Sequence, residues 1–287
     1  MGRTTSAWFN GSIGVLIFAG SLPATRVAVL DFDPVFLTCA RAVLAALPAI
    51  ALLLATRQAR PARTDLSSLA VVALGVVVGF PLLTALALRQ LPSAHAIVFI
   101  GLLPLCTAIF GVIRGGERPR AAFWLFAMLG ALCVSGFAAR DLDAAALDGD
   151  LAMLAAVVVC GLGYAEGARL SRRLGGWQVI SWALALALPA MLGGAVFTAP
   201  TSLAHVGAPA WLGLAYVSLF SMLIGFVFWY RGLAQGGIAA VGQLQLLQPF
   251  VGFGLAALLL GETVSWSMLA VTLGAVSCVA GAKAFAR

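Results

Sequence analysis

The sequence predicts an all-α membrane protein with ten transmembrane helices in two five-helix inverted repeats. Three observations carry that expectation. The 287-residue chain is 62% hydrophobic and 9% charged, with a mean hydropathy of +1.07, whereas soluble domains carry about 25% charged residues. Its apolar runs reach the roughly 20 residues that a helix needs to cross the hydrocarbon. Finally, one stretch recurs at a constant offset, across an odd number of such runs.

Breaks at charges and at Pro/Gly clusters place the spans near 6–25, 34–56, 67–88, 92–113, 121–139, 150–169, 176–197, 208–231, 235–260 and 264–285. The connections are too short for a soluble domain. Gly11, Gly14, Gly20 and Pro23 interrupt the first run and no small-residue cleavage site follows, so it reads as a spanning helix rather than a removed signal peptide. The five cysteines (Cys39, Cys106, Cys133, Cys160 and Cys278) lie at wide spacings inside apolar runs. That pattern suits small buried hydrophobes and neither a disulfide framework nor a metal site.

A net charge of +7 would suggest nucleic acid in a soluble protein; here its distribution sets orientation instead. With the N-terminus inside, thirteen basic residues fall on the cytoplasmic side, among them Arg57, Arg60, Arg114, Arg120, Arg169 and Arg172. Three (Arg26, Arg89 and Arg140) fall outside, and Arg41 lies within a span. The positive-inside bias therefore puts both termini in the cytoplasm.

The repeat is seen by comparing "LRQLPSAHAIVFIGLLPLCTAIFGVIRGGE" (88–117) with "LAQGGIAAVGQLQLLQPFVGFGLAALLLGE" (233–262). At an offset of 145, Gln90 meets Gln235, Ala94 meets Ala239, Pro104 meets Pro249, and Gly116-Glu117 meets Gly261-Glu262. A second pair, "AALPA" (45–49) and "LALPA" (186–190), aligns at 141. The chain divides into halves at 1–145 and 146–287. Five spans per half make the second copy enter the membrane from the opposite side, the architecture of many secondary transporters.

On these residues the chain resembles the EamA type of the drug/metabolite transporter superfamily. The motif residues are Ala94, Pro104, Gly116 and Glu117 in one half and Ala239, Pro249, Gly261 and Glu262 in the other. The likeness covers essentially the whole chain and extends to bacterial amino-acid and metabolite exporters, including the YddG-type branch. It implies a bacterial inner-membrane location and a central cavity near the midplane. That cavity is expected to be lined mainly by the first, third, fourth, sixth, eighth and ninth helices. The run Arg114-Gly115-Gly116-Glu117 departs from the family, which usually has apolar residues before its Gly-Glu.

Candidate solute-contacting residues follow from polar groups at depth. Gln243, Gln245 and Gln248 sit in an uncharged run, where each amide costs free energy unless satisfied. Pro249 and Pro104 fall near mid-span as candidate hinges. Each removes a helix hydrogen bond, and they would free the carbonyls of Gln245 and Ile100. Amides can also serve as interhelical glue. Tyr164, His95, Phe99, Phe80 and Trp182 complete the set, with packing or interfacial anchoring as the competing role. Arg41 lies about seven residues into its span; it meets a substrate carboxylate or, as that depth favours, snorkels to the outer surface. Glu166 is expected to pair with Arg169 or Arg231, with proton coupling as the competing role. Gly75/Gly79 and Gly163/Gly167 read as close-packing pairs, and the aspartates of "DLDAAALDGD" (141–150) as a solvated linker.

The expected function is secondary transport: export of small metabolites, amino acids foremost, including aromatic and other neutral ones, by alternating access. The expected partners are that solute and the bilayer, with the protein acting as a monomer. No phosphate-binding loop is present, so neither ATP nor any other cofactor is expected. A membrane-embedded enzyme would need convergent ionisable groups such as paired aspartates or an HExxH helix. That class, and a passive facilitator, are the alternatives.

Overall fold

The computed structural model describes residues 3–115, 120–138, 144–236 and 241–284. Among them the secondary structure is helical throughout. The elements are α1 (Arg3–Ala19), α2 (Ser21–Asp31), α3 (Pro34–Ala55), α4 (Arg63–Val72) and α5 (Phe80–Gln90), then α6 (Ser93–Ile100), α7 (Leu103–Gly115), α8 (Ala121–Ala138), α9 (Ala144–Leu174) and α10 (Gly176–Phe197). They continue with α11 (Ala208–Ala215), α12 (Gly225–Gly236), α13 (Gln248–Leu260) and α14 (Trp266–Ala284). Two π-helical segments, Ala73–Gly79 and Tyr216–Ile224, join α4 to α5 and α11 to α12, and a 3-10 segment, Gly242–Leu247, leads into α13.

Seven continuous stretches of the described residues are long and apolar enough to cross a membrane: Thr5–Asp31, Pro34–Ala55, Arg63–Gln90, Ser93–Ile113, Leu147–Leu174, Gly176–Phe197 and Ala208–Gly236. The other expected spans fall on α8, on the shorter apolar helix Leu244–Leu260 and on Trp266–Cys278. The surface is apolar as well as the core. Phe197, Leu258, Trp266, Leu54 and Leu30 are all exposed, as suits side chains facing lipid, where only the backbone's own hydrogen bonds can satisfy its polar groups.

Breaks occur where the chain supplies a reason. Gly20 separates α1 from α2, and Pro23 sits in the first turn of α2, where its missing N–H costs little. Gly101 and Leu102 donate to the carbonyls of Val98 and Phe99, a tightening that ends α6 just before Pro104. The Gln245 carbonyl expected to be freed by Pro249 is instead taken by the Gln248 N–H, three residues on. Tightening to 3-10 geometry thus absorbs the cost of the proline.

Packing pairs the helices in a regular way: α1 lies on α12 and α9 on α5, α3 on α10, α8 on α14, and α7 on α9. The glycine pairs make a close crossing of α9 with the first π-helical segment. A Cβ on Gly75 would stand 2.7 Å from the Val159 carbonyl oxygen and 3.0 Å from the Gly163 Cα. At one membrane end, Asp33 caps α3 through the Val35 and Phe36 N–H groups, and Asp31 accepts from the Gly207 N–H at 2.8 Å. At the opposite end Glu166 pairs with Arg169 and Asp65 with Arg173.

Two expectations need correction here. The linker aspartates were to be solvated; Asp150 belongs to α9, is 1% exposed, and meets His95 Nε2 at 2.8 Å. Helix α9 starts earlier than the hydropathy suggested, because an imidazole partner lets it carry a carboxylate inward. Arg41 does not snorkel. It is 4% exposed and directed into the bundle.

Candidate functional site

The irregular backbone segments converge on one interior cavity. Phe18, Ser21 and Leu22 come from either side of the α1/α2 break, Val76 and Phe80 from the first π-helical segment and the start of α5, and Ser221 and Phe226 from the second and the start of α12. Gln248 enters at the 3-10/α13 junction, Tyr164 from α9 and Arg41 from α3. Such departures from α-geometry leave backbone groups to be re-satisfied, and at membrane depth they are tolerated where they are buried in protein or line a cavity. As it stands the cavity has room for little more than a water molecule, so a larger solute must widen it.

Its polar groups are linked. The Ser21 and Ser221 hydroxyls lie 2.7 Å apart. Arg41 Nη2 donates to the Val217 carbonyl at 3.2 Å, with Ser221 Oγ at 3.5 Å. That carbonyl belongs to a π-helical segment, where the ordinary i→i−4 ladder is broken. Gln248 Nε2 faces the Phe18 carbonyl at 3.5 Å, and its Oε1 is buried without a partner. Opposite these groups the rings of Phe18, Phe226 and Tyr164 cluster, with centroids 4.9 to 6.2 Å apart. No carboxylate is among the lining residues.

Of the sequence candidates, Gln248, Tyr164 and Phe80 line the cavity. Gln245 is 1% exposed with neither amide atom partnered, yet it is not among the lining residues. His95 and Phe99, both on α6, pack instead with each other, and His95 also with Phe137. Trp182 packs against the core from α10, and the Gln243 side chain lies outside the described residues, as do Gly116 and Glu117. No residue of the fourth expected span is among those lining this cavity, and Arg41 comes from the second. Sequence reasoning passed over Phe18, Ser21, Ser221 and Phe226; the small polar residues beside Gly20 and within an otherwise apolar run were the available signal.

The second half's Gly-Glu motif has a structural role. Gly261 ends α13 with a φ of +63°, a left-handed turn that glycine adopts without a Cβ clash. The turn brings Glu262 to the start of α6, where its carboxylate accepts from the Ser93 and Ala94 N–H groups and the Ser93 hydroxyl. One half of the chain thereby caps a helix of the other.

Comparison with known proteins agrees with this architecture. The EamA-like transporter family model matches residues 6–138 and again 147–282. The chain is 65% identical over 287 residues, all of both proteins, to the "Uncharacterized transporter YdeK" of Bacillus subtilis (strain 168). It is 22% identical over 248 residues, 83% of this chain and 81% of the other, to the "Uncharacterized transporter YyaM" of the same organism. A solved crystal structure 21% identical in sequence matches with a TM-score of 0.68 over 99% of each chain; at that identity the likeness bears on the fold alone. The chain is a multi-pass membrane transporter rather than an enzyme, and it belongs to the EamA-like transporter family, within the drug/metabolite transporter superfamily.

Proposed function

We propose that the protein is a secondary transporter that exports small metabolites, amino acids foremost, across the bacterial inner membrane by alternating access. In this reading ten spans form two inverted five-helix halves, 1–145 and 146–287, with both termini in the cytoplasm. Gln248, Tyr164 and Phe80 contact the solute, and the breaks before Pro104 and Pro249 act as hinges.

One observation carries the reading: the irregularities recur with the sequence repeat. The offset of 145 brings the start of α7, Leu103-Pro104, onto the start of α13, Gln248-Pro249. It also brings Ala73–Gly79 onto 218–224, inside the second π-helical segment. The packing follows the same exchange of halves, since α1 on α12 corresponds to α9 on α5, while α3 on α10 and α8 on α14 map onto themselves. Two opposed copies of one half can trade shapes, which is the basis of alternating access around a fixed site.

Counterflow in liposomes tests the proposal, using purified protein and labelled amino acids, nucleobases and sugars in the absence of ATP. Uptake of neutral amino acids against preloaded unlabelled solute is the expected result. Counterflow of a different metabolite class alone would overturn the amino-acid assignment, and counterflow of none, with simple organic acids added to the panel, would overturn secondary transport.

A further inference from the structure

Arg41 carries the only formal charge among the described residues that line the cavity. It lies in α3, which is long and apolar enough to cross a membrane, and no carboxylate among the described residues is within ion-pair distance of it. A guanidinium offers five N–H donors in a planar fork. Arg41 commits only Nη2, to the Val217 carbonyl and, at the distance limit, Ser221 Oγ. Its Nε is buried without any partner, and Nη1 makes no hydrogen bond with a described residue. An ionisable group inside a membrane is costly and by default marks a substrate or ion path. A planar fork with free donors matches a carboxylate, which it can hold through two parallel hydrogen bonds.

The rest of the wall defines the rest of the ligand. Phe18, Phe80 and Phe226 supply apolar surface, and the Ser21 and Ser221 hydroxyls and the Gln248 amide add neutral polar groups. We infer that Arg41 is the anion-binding residue of the cavity, and that the transported solute is a carboxylate joined to an apolar body. The carboxylate meets the donors that Arg41 leaves uncommitted, and the body lies against the phenylalanine rings. This rests on the transporter reading above and narrows its substrate class. An amino acid and a simple organic acid share this chemistry, and the probes below separate them. The competing role for Arg41 is purely structural: a tether from α3 to the Val217 carbonyl, which would give no preference among ligands.

The test uses the full-length protein, with ligand-induced shifts in melting temperature and competition in counterflow. The three probes share one aromatic body. Phenylalanine has both carboxylate and ammonium, 3-phenylpropanoate has only the carboxylate, and phenylalaninamide has only the ammonium. Wild-type protein should bind at least one of the two acids at least tenfold more tightly than the amide. Which acid binds more tightly identifies the amino-acid or the organic-acid source. Arg41→Gln should erase the preference for acid over amide, and Arg41→Lys should keep part of it. Equal binding of acid and amide by wild type overturns the assignment, as does binding of neither acid, or an acid preference that survives in Arg41→Gln. If Arg41→Gln does not fold, the wild-type comparison decides alone. Equal counterflow of a carboxylate-free metabolite by wild type and Arg41→Gln would remove this assignment and leave transport standing. Acid-selective binding lost in Arg41→Gln, without counterflow of any solute, would do the reverse.

Discussion

The Glu262 carboxylate lies 2.8 Å from the Ser93 hydroxyl and 3.0 Å from the Ser93 N–H, so the end of α13 closes on the first turn of α6. The start of a helix exposes unsatisfied N–H groups and a partial positive charge, both of which favour an anion there. Glu262→Gln keeps the shape and removes the charge. It should lower unfolding stability by about 1–2 kcal/mol, the difference between charged and neutral hydrogen bonds of this kind. Thermal unfolding in detergent measures it, and an unchanged melting temperature would show that the charge of the cap contributes nothing.

The two buried glutamines should part company. Gln245 has both amide atoms buried without a partner, so Gln245→Leu should be neutral or stabilising, because replacing an unsatisfied polar group removes a penalty. Gln248→Leu takes away a cavity-lining amide and should reduce transport, with a stability loss of about 1 kcal/mol at most from its long contact to the Phe18 carbonyl. Melting temperature and transport rate of each variant, measured side by side, check the contrast.

His95 and Asp150 should behave as one unit. Asp150→Leu strands a buried imidazole and should cost about 3 kcal/mol, the scale for breaking a buried pair from one side. Replacing both residues by leucine should recover at least half of that loss. A double-mutant cycle over the two single variants and the double gives the coupling directly. Additive effects would refute it.

Gly75→Ala should be poorly tolerated, since its Cβ would meet backbone atoms of α9 that cannot move aside. Overpacking of this kind costs about 1–3 kcal/mol. Gly254→Ala is the control, because a Cβ there meets nothing within 4 Å, and it should leave the melting temperature unchanged.

Orientation is tested by reporter fusions at Arg60, Arg120, Arg172 and the C-terminus. All four should report cytoplasmic, given the thirteen basic residues counted on that side. A periplasmic signal at the C-terminus would remove the ten-span count.

Helix positions were legible because hydropathy and length govern insertion, and Gly20 and Pro104 mark breaks by the backbone freedom they add or remove. The π-helical segments were not, since a shift from one hydrogen-bond partner to the next leaves no compositional mark on "ALGVVVG" or "YVSLFSMLI". That omission hid Ser221 and misdirected Arg41. Counting residues from the end of a span gives depth but not direction, and the carbonyl that draws Arg41 inward belongs to a π-helical segment. Asp150 was misplaced for a related reason: a loop rich in aspartate reads as wet unless the distant His95 is known to face it.

The solitary charge of Arg41 places the cavity in the electric field of the membrane. Empty, the lining carries one positive charge; holding a monoanion it carries none; holding a zwitterion it again carries one. Displacing a unit charge through the full field is worth about 2.3 kcal/mol per 100 mV. Under alternating access, a simple carboxylate therefore confines voltage dependence to the return of the empty carrier. A zwitterionic amino acid leaves both directions of the cycle equally sensitive to the membrane potential.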